Sequence, residues 1–243
     1  GSYFGVIWAF IQPVITVLLY WFVFEFGLHQ KVNDLRTGIE VPFVLWLMGG
    51  LVPWFYFQEA LNGGTGVLDE YSYLVKKVVF QIDALPVVKL ISALFTHAFF
   101  VVFMLVVFAV MGFYPDLYVL QVVYYSFCMV MFTAGLIYAT SAVTVFFRDM
   151  KEVVAILLQI GMWVTPIMWN FESMQGIPKW AVVLLKLNPM YYIVSGYRDA
   201  LINKTAFWEH PGLTLWFWGI TLFTLWAGTT MFKRLRVHFA DVL

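Results

Sequence analysis

Long apolar runs broken by short polar clusters organise this chain. Residues 117–147 carry no charged side chain, and the run closes on Arg148-Asp149-Met150-Lys151-Glu152. A bilayer hydrocarbon core of roughly 30 Å takes about 20 helical residues to cross, so this run spans it with residues to spare. Runs of the same character cover residues 4–24, 41–58, 85–112, 153–169 and 213–232. The pattern predicts an all-α integral membrane protein, with six transmembrane helices in a single domain over residues 1–243. Helices are expected because a helix satisfies its own backbone in lipid. A barrel needs strands of about 10 residues alternating in polarity, and these runs are too long and too uniformly apolar.

Composition agrees: 63% of residues are apolar and 12% charged, against about 45–50% and 25% in soluble domains. The net charge of zero and the small size of the basic clusters exclude a nucleic-acid partner. Cys128 stands alone, so no internal disulfide forms. His29, His97, His210 and His238 lack ligand-like spacing, and no metal site is expected. His97 falls within a run, as a proton relay or as a histidine bonded to a neighbouring helix. No basic segment precedes the first run, which therefore does not read as a signal peptide. Lysine and arginine mark orientation. Lys76, Lys77, Lys89, Arg148, Lys151, Lys233, Arg234 and Arg236 fall on one side, and Lys31 and Arg36 in the short loops of the other. Both termini are then cytoplasmic. Counting the long fifth connection, with Lys179, Lys186, Arg198 and Lys204, narrows that bias.

Three interruptions carry the functional reading. Over residues 65–82, Val67, Tyr71, Leu74, Val75 and Val78 recur at amphipathic spacing, with Asp69, Glu70, Lys76 and Lys77 on the other face. Asn62-Gly63-Gly64 is expected to break the second span before it. This helix either lies on lipid headgroups or docks a soluble cytoplasmic protein through Asp69, Glu70, Tyr73, Lys76 and Lys77. Residues 178–187 and 190–202 are apolar but too short to cross, and Asn188-Pro189 joins them. They form either a re-entrant hairpin at a pore mouth, tolerated where it is buried in protein or lines water, or two helices flat on the outer surface. As a gate, the hairpin would use Asn188, Pro189, Tyr191 and Arg198, with Arg198 pairing with Asp199 or meeting a phosphate. The third feature is an aromatic content of 20%. Such rings anchor helices at interfaces; Trp8, Tyr20, Trp163 and Trp169 also suit a wall along which sugars slide without a deep binding well.

Several segments resemble one family. Tyr3-Phe4-Gly5-Val6-Ile7-Trp8-Ala9-Phe10-Ile11-Gln12-Pro13, Phe146-Phe147-Arg148-Asp149-Met150-Lys151-Glu152 and Leu187-Asn188-Pro189-Met190-Tyr191-Tyr192 look like motifs of ABC-2-type permeases that export cell-surface polysaccharides. Gly196-Tyr197-Arg198-Asp199 and His238-Phe239-Ala240-Asp241-Val242-Leu243 look closest to the teichoic acid exporter permeases, with the O-antigen exporter permeases next. The resemblance covers nearly the whole chain. It implies a homodimer in the bacterial plasma membrane, bound to two copies of a separate ABC ATPase, moving a lipid-linked polysaccharide such as wall teichoic acid outward. It places the ATPase contact in 65–82 and the outer mouth in 178–202.

No Gly-x-x-x-x-Gly-Lys-[Ser/Thr] occurs. ATP and Mg would therefore be used by the partner, and no cofactor or catalytic site is expected here. A secondary transporter would show repeats and a midplane ionisable site; only His97 and Glu59 offer one. A membrane-embedded glycan transferase needs an acid/base constellation, which Asp34, Glu40, Asp116 and Glu172 do not form.

Overall fold

The computed structural model describes residues 5–27, 32–33, 38, 40–75, 81–171 and 176–242. The chain is mostly helical. Helix α1 (Gly5–Trp21) runs on through a π-helical turn, Phe22–Gly27. A two-residue antiparallel pairing of β1 (Val32–Asn33) with β2 (Glu40–Val41) leads to α2 (Phe43–Thr65). Two single-turn helices follow, α3 (Val67–Glu70) and α4 (Ser72–Val75). Then come α5 (Ala84–Val110), α6 (Leu120–Thr144) and α7 (Met150–Val164). The short α8 (Lys179–Leu187) and α9 (Pro189–Arg198) precede α10 (Pro211–Leu235) and a final turn, α11 (Phe239–Val242).

Helix α2 is the hub. Eighteen of its 23 residues are buried, and it packs on α1, α5, α6, α7 and α9. The outer helices instead turn large apolar side chains outward: Phe95, Val102 and Val110 on α5, and Leu215, Phe223 and Trp226 on α10, are all more than half exposed. An apolar exterior around a packed helical core is the inside-out economy of a lipid-facing bundle. Among the described residues, four stretches are long and apolar enough to cross a membrane: Phe10–Gly27, Ala84–Val110, Leu117–Thr144 and Pro211–His238. Two buried threonines of α6 are satisfied on their own helix: Thr133 and Thr144 donate to the carbonyls of Met129 and Thr140 at 2.7 and 2.8 Å.

The most extensive helix pairing joins α6 to α10. It depends on two glycines in register. A Cβ on Gly228 would lie 2.1 Å from the Gly135 carbonyl oxygen, and one on Gly135 would lie 2.7 Å from the Leu225 nitrogen. Lipid tails are as apolar as leucine, so backbone approach of this kind, not hydrophobicity, drives helix association in a membrane.

The structure differs from the sequence expectations in three places. Asn62-Gly63-Gly64 does not break the second helix; α2 continues to Thr65, because Gly64 seats against Ile137 where any Cβ would clash. No continuous amphipathic helix covers 65–82. Among the described residues the segment is two single turns hinged at Tyr71, and buried Val67 and Leu68 join Leu85, Val145, Phe232 and Phe239 in a separate small core. The run 153–169 yields only the 15-residue α7, about 22 Å long at 1.5 Å per residue. Proline 166 disfavours helix at the residue before it, and Thr165 is extended, with φ −76° and ψ 124°.

Replacing Gly228 with alanine should separate α6 from α10. The expected cost is about 1–3 kcal/mol, read as a lower Tm of the purified protein in detergent. Gly219→Ala on the same helix, where a Cβ meets nothing within 4 Å, should leave Tm unchanged.

Candidate functional site

Polar side chains on three helices converge on one cavity. Trp8, Gln12, Thr16 and Tyr20 recur every four residues along α1, which places them on a single helical face. Gln58, Glu59 and Asn62 form a short stripe on α2 and are exposed on a helix that is otherwise almost wholly buried. Thr96 and His97 complete the wall from α5. The cavity measures about 510 Å³, within the roughly 300–1,000 Å³ typical of ligand sites. Thr96 Oγ1 donates to Glu59 Oε1 at 3.4 Å. His97 is buried, and its Nε2 lies 3.0 Å from Tyr197 Oη and 3.3 Å from Ser126 Oγ. These contacts lock α5 to α6 and α9. His97 is thus bonded to neighbouring helices, the plainer of its two sequence readings.

A second, smaller cavity of about 170 Å³ lies under the α8–α9 hairpin, lined by Trp46, Trp169, Lys186, Tyr191, Arg198 and Asp199 among others. Its shape depends on Arg198, which is 7% exposed. Nε donates to the Trp46 carbonyl at 3.2 Å, Nη1 to Pro166 at 2.7 Å and Nη2 to Ile167 at 2.8 Å. The guanidinium carbon sits 3.3 Å from the centre of the Trp46 ring, a cation–π contact. The carbonyls of Pro166 and Ile167 belong to the buried segment where α7 has just ended, and unpaired carbonyls there would be costly. Room for the guanidinium comes from α2, since a Cβ on Gly50 would stand 2.9 Å from Nη2.

The hairpin turn is capped locally. Asn188 Oδ1 accepts from the Met190 amide at 3.0 Å, its Nδ2 donates to Thr165 Oγ1 at 2.8 Å, and Pro189 occupies the first turn of α9. Helix α9 is buried over most of its length, whereas α8 buries none of its residues. Hydroxyls fasten α9 sideways: Tyr192 Oη lies 3.1 Å from Tyr124 Oη and 3.0 Å from Thr214 Oγ1.

At the other end of the bundle, ion pairs tie the 66–75 segment down. Asp69 meets Lys151 at 2.6 Å and Glu70 meets Lys89 at 2.7 Å; Arg236 meets Asp83 at 2.7 Å. The two carboxylates expected to face a partner are therefore engaged by α7 and α5. Tyr73 is 59% exposed. Lys76 and Lys77 lie outside the described residues.

The four aromatics expected along one wall separate. Trp8 and Tyr20 line the larger cavity. Trp163 points outward at 59% exposure, and Trp169 lines the hairpin cavity, donating to the Trp163 carbonyl at 2.9 Å. Sequence reasoning missed Gln12, Thr16, Gln58, Asn62 and Thr96. The usable signal was the four-residue recurrence from Trp8 to Tyr20 and the Gln58/Glu59/Asn62 stripe.

A polar-lined cavity between helices with an apolar exterior is the arrangement of a helical membrane protein. Residues 1–202 match the model of the ABC-2 type transporter family, and the chain belongs to that family. It is similar to the O-antigen export system permease protein RfbA of Myxococcus xanthus, at 26% identity over 99% of this chain and 88% of the relative. Klebsiella pneumoniae has an O-antigen export system permease protein RfbA at 24% identity, covering 100% of this chain and 89% of the relative. The polysialic acid transport protein KpsM of Escherichia coli is 25% identical, over 94% of this chain and 85% of the relative.

Lysine at position 198 keeps the charge but loses the planar fork. Arg198→Lys should leave at least one of the three carbonyls unpaired and destabilise the protein by about 1–3 kcal/mol. Gly50→Ala should act in the same direction by displacing the guanidinium. Thermal unfolding in detergent measures both; a wild-type Tm for Arg198→Lys would show the clamp to be dispensable.

Proposed function

We propose that this chain is the non-catalytic transmembrane subunit of an ATP-driven exporter that moves a lipid-linked polysaccharide outward across the bacterial plasma membrane. The observation that carries this reading is the α1–α2–α5 cavity, where aromatic faces and uncharged polar groups share one wall inside a lipid-facing bundle. Rings offer sugar C–H groups a non-directional surface, and amides and hydroxyls exchange hydrogen bonds with sugar hydroxyls at similar energy. A polymer then meets many weak sites in series, as conduction requires. Polysaccharide export also agrees with the named functions of the three relatives. Of the polymers suggested by the sequence motifs, their names favour O-antigen-type export over wall teichoic acid.

In this reading α1, α2, α5, α6, α7 and α10 are the six passes. Helix α7 falls short of full bilayer thickness, and α8–α9 complete the outer half as a re-entrant gate built on Asn188, Pro189, Tyr191 and Arg198. Both termini face the cytoplasm. The exposed Gln58/Glu59/Asn62 stripe needs water or protein against it, since lipid would not solvate it; a second copy of the chain supplies that cover and closes the conduit around Trp8 and Tyr20. Two ATPase copies bind at the 66–75 end and use ATP and Mg there. Tyr73, with Lys76 and Lys77 beyond it, presents the contact, and Asp69 and Glu70 fasten the segment to α7 and α5. ATP binding in the partner then shifts an inward/outward equilibrium through differential contacts.

The partner contact is tested with a single cysteine at Tyr73, which should crosslink to the ATPase, whereas one at Asp116 should not. A Tyr73 cysteine that stays unlinked while one at Asp116 reacts would invert the orientation. The wall is tested by Trp8→Leu and Tyr20→Leu, which keep bulk and remove the ring face. Export should fall several-fold with protein level unchanged; full export in both variants would make these rings lipid anchors.

A further inference from the structure

The charge of the cavity wall bears on which polymer it passes, and this step rests on the exporter reading above. Among the described lining residues there is one carboxylate, Glu59, and neither lysine nor arginine. The remaining polar groups are uncharged amides and hydroxyls, with Gln12 and Thr16 on α1 and Asn62 on α2, beside the buried imidazole of His97. His97 Nε2 is engaged by Tyr197 and Ser126, which belong to α9 and α6 and not to the cavity's outer wall. Glu59 Oε1 accepts from Thr96, and the carboxylate remains exposed to the cavity. The cationic side chains whose contacts are known lie elsewhere. Lys89 and Lys151 are paired with Glu70 and Asp69 at one end, and Lys204 with Asp116 at the other.

A phosphate or carboxylate entering this space would leave water without gaining a countercharge, a penalty that polar groups alone do not repay. It would also approach Glu59, a like-charge juxtaposition in a region of low dielectric. A neutral sugar meets neither obstacle. Its hydroxyls can donate to Glu59 and to the side-chain carbonyls of Gln12 and Asn62, and accept from their amide N–H groups. Its C–H faces can lie on Trp8 and Tyr20.

We infer that the α1–α2–α5 cavity selects uncharged, hydroxyl-rich glycan segments and discriminates against polymers that carry an anion in every repeat. The fold alone does not decide this, because a relative 25% identical over 94% of this chain is named for polysialic acid transport, and polysialic acid is a polyanion. The lining side chains of this chain decide it.

The test uses the full complex with its ATPase in proteoliposomes and two probes on one polyprenyl-diphosphate carrier: a neutral polymannose chain and a poly(glycerol phosphate) chain of similar length. Substrate-stimulated ATP hydrolysis is measured against probe concentration. The neutral probe should reach half-maximal stimulation at a concentration lower by about tenfold or more. Glu59→Lys, or Gln12→Lys on the facing helix should the first variant fail to purify as a monodisperse complex, should shrink or reverse that preference. Equal response to both probes, or a preference for the anionic one, would overturn charge selection and leave the exporter reading standing. Failure of both probes, in a complex whose ATPase is stimulated by some other lipid, would remove the exporter reading and this inference with it.

Discussion

The hairpin end of this protein depends on one guanidinium. Helix α7 stops at Val164 because a proline follows at 166, and the chain then passes Pro166 and Ile167 without helical hydrogen bonds of its own. In water those carbonyls would be solvated at no cost; buried inside the protein, each must find a donor. Arg198 reaches both and adds the Trp46 carbonyl on α2. Its planar fork suits carbonyls that diverge, and its charge lies over the Trp46 face. A single side chain thus makes a broken helix tolerable, fixes α9 against the hub, and shapes the cavity beneath the hairpin. Gly49 and Gly50 belong to the same device, since side chains there would occupy the path of the arginine.

The hub has the complementary problem. Helix α2 is buried on nearly every side, yet Gln58, Glu59 and Asn62 emerge together near its far end. Burying three polar side chains without partners would cost more than packing returns. Leaving them to lipid would be worse. The structure places them beside the polar face of α1 and Thr96 of α5, so that polar groups from three helices share one volume. This is the usual resolution for polar residues in a membrane bundle, which turn to the interior or to water. It also accounts for polar residues on α2, whose 23 residues, about 34 Å of helix, are long enough to cross a membrane.

The apolar runs were legible because their signal is local and long: α5, α6 and α10 begin and end close to where the hydrophobicity does. The two short helices α8 and α9 were legible for the same reason, with Asn188-Pro189 marking the turn between them. What escaped depended on contacts distant in sequence. Asn62-Gly63-Gly64 reads as a break, and only the presence of Ile137 against Gly64 explains why the helix continues. Asp69 and Glu70 read as a free polar face, whereas Lys151 and Lys89 claim them from α7 and α5. Arg198 reads as pairing with Asp199 or meeting a phosphate; nothing local shows that carbonyls left by Pro166 would also take its donors. Aromatic content gave no direction either: Trp8 and Tyr20 line the larger cavity, Trp169 the smaller one, and Trp163 the exterior, and only packing assigns them.

Helix α7 joins these two regimes. Near its start, Lys151 holds Asp69 in the segment that follows α2. Just past its end, Pro166 and Ile167 are held by Arg198 at the base of the hairpin. Between these attachments it buries Val154 and Leu158 and sets Gly161 close against the Trp54 ring of α2. A helix is stiff over about 22 Å, and displacement at one tip is felt at the other without relay through many side chains. Contiguity becomes coupling only where such an element has two arrangements available. The ion pair at one tip and the arginine fork at the other define what a shift of α7 would have to break.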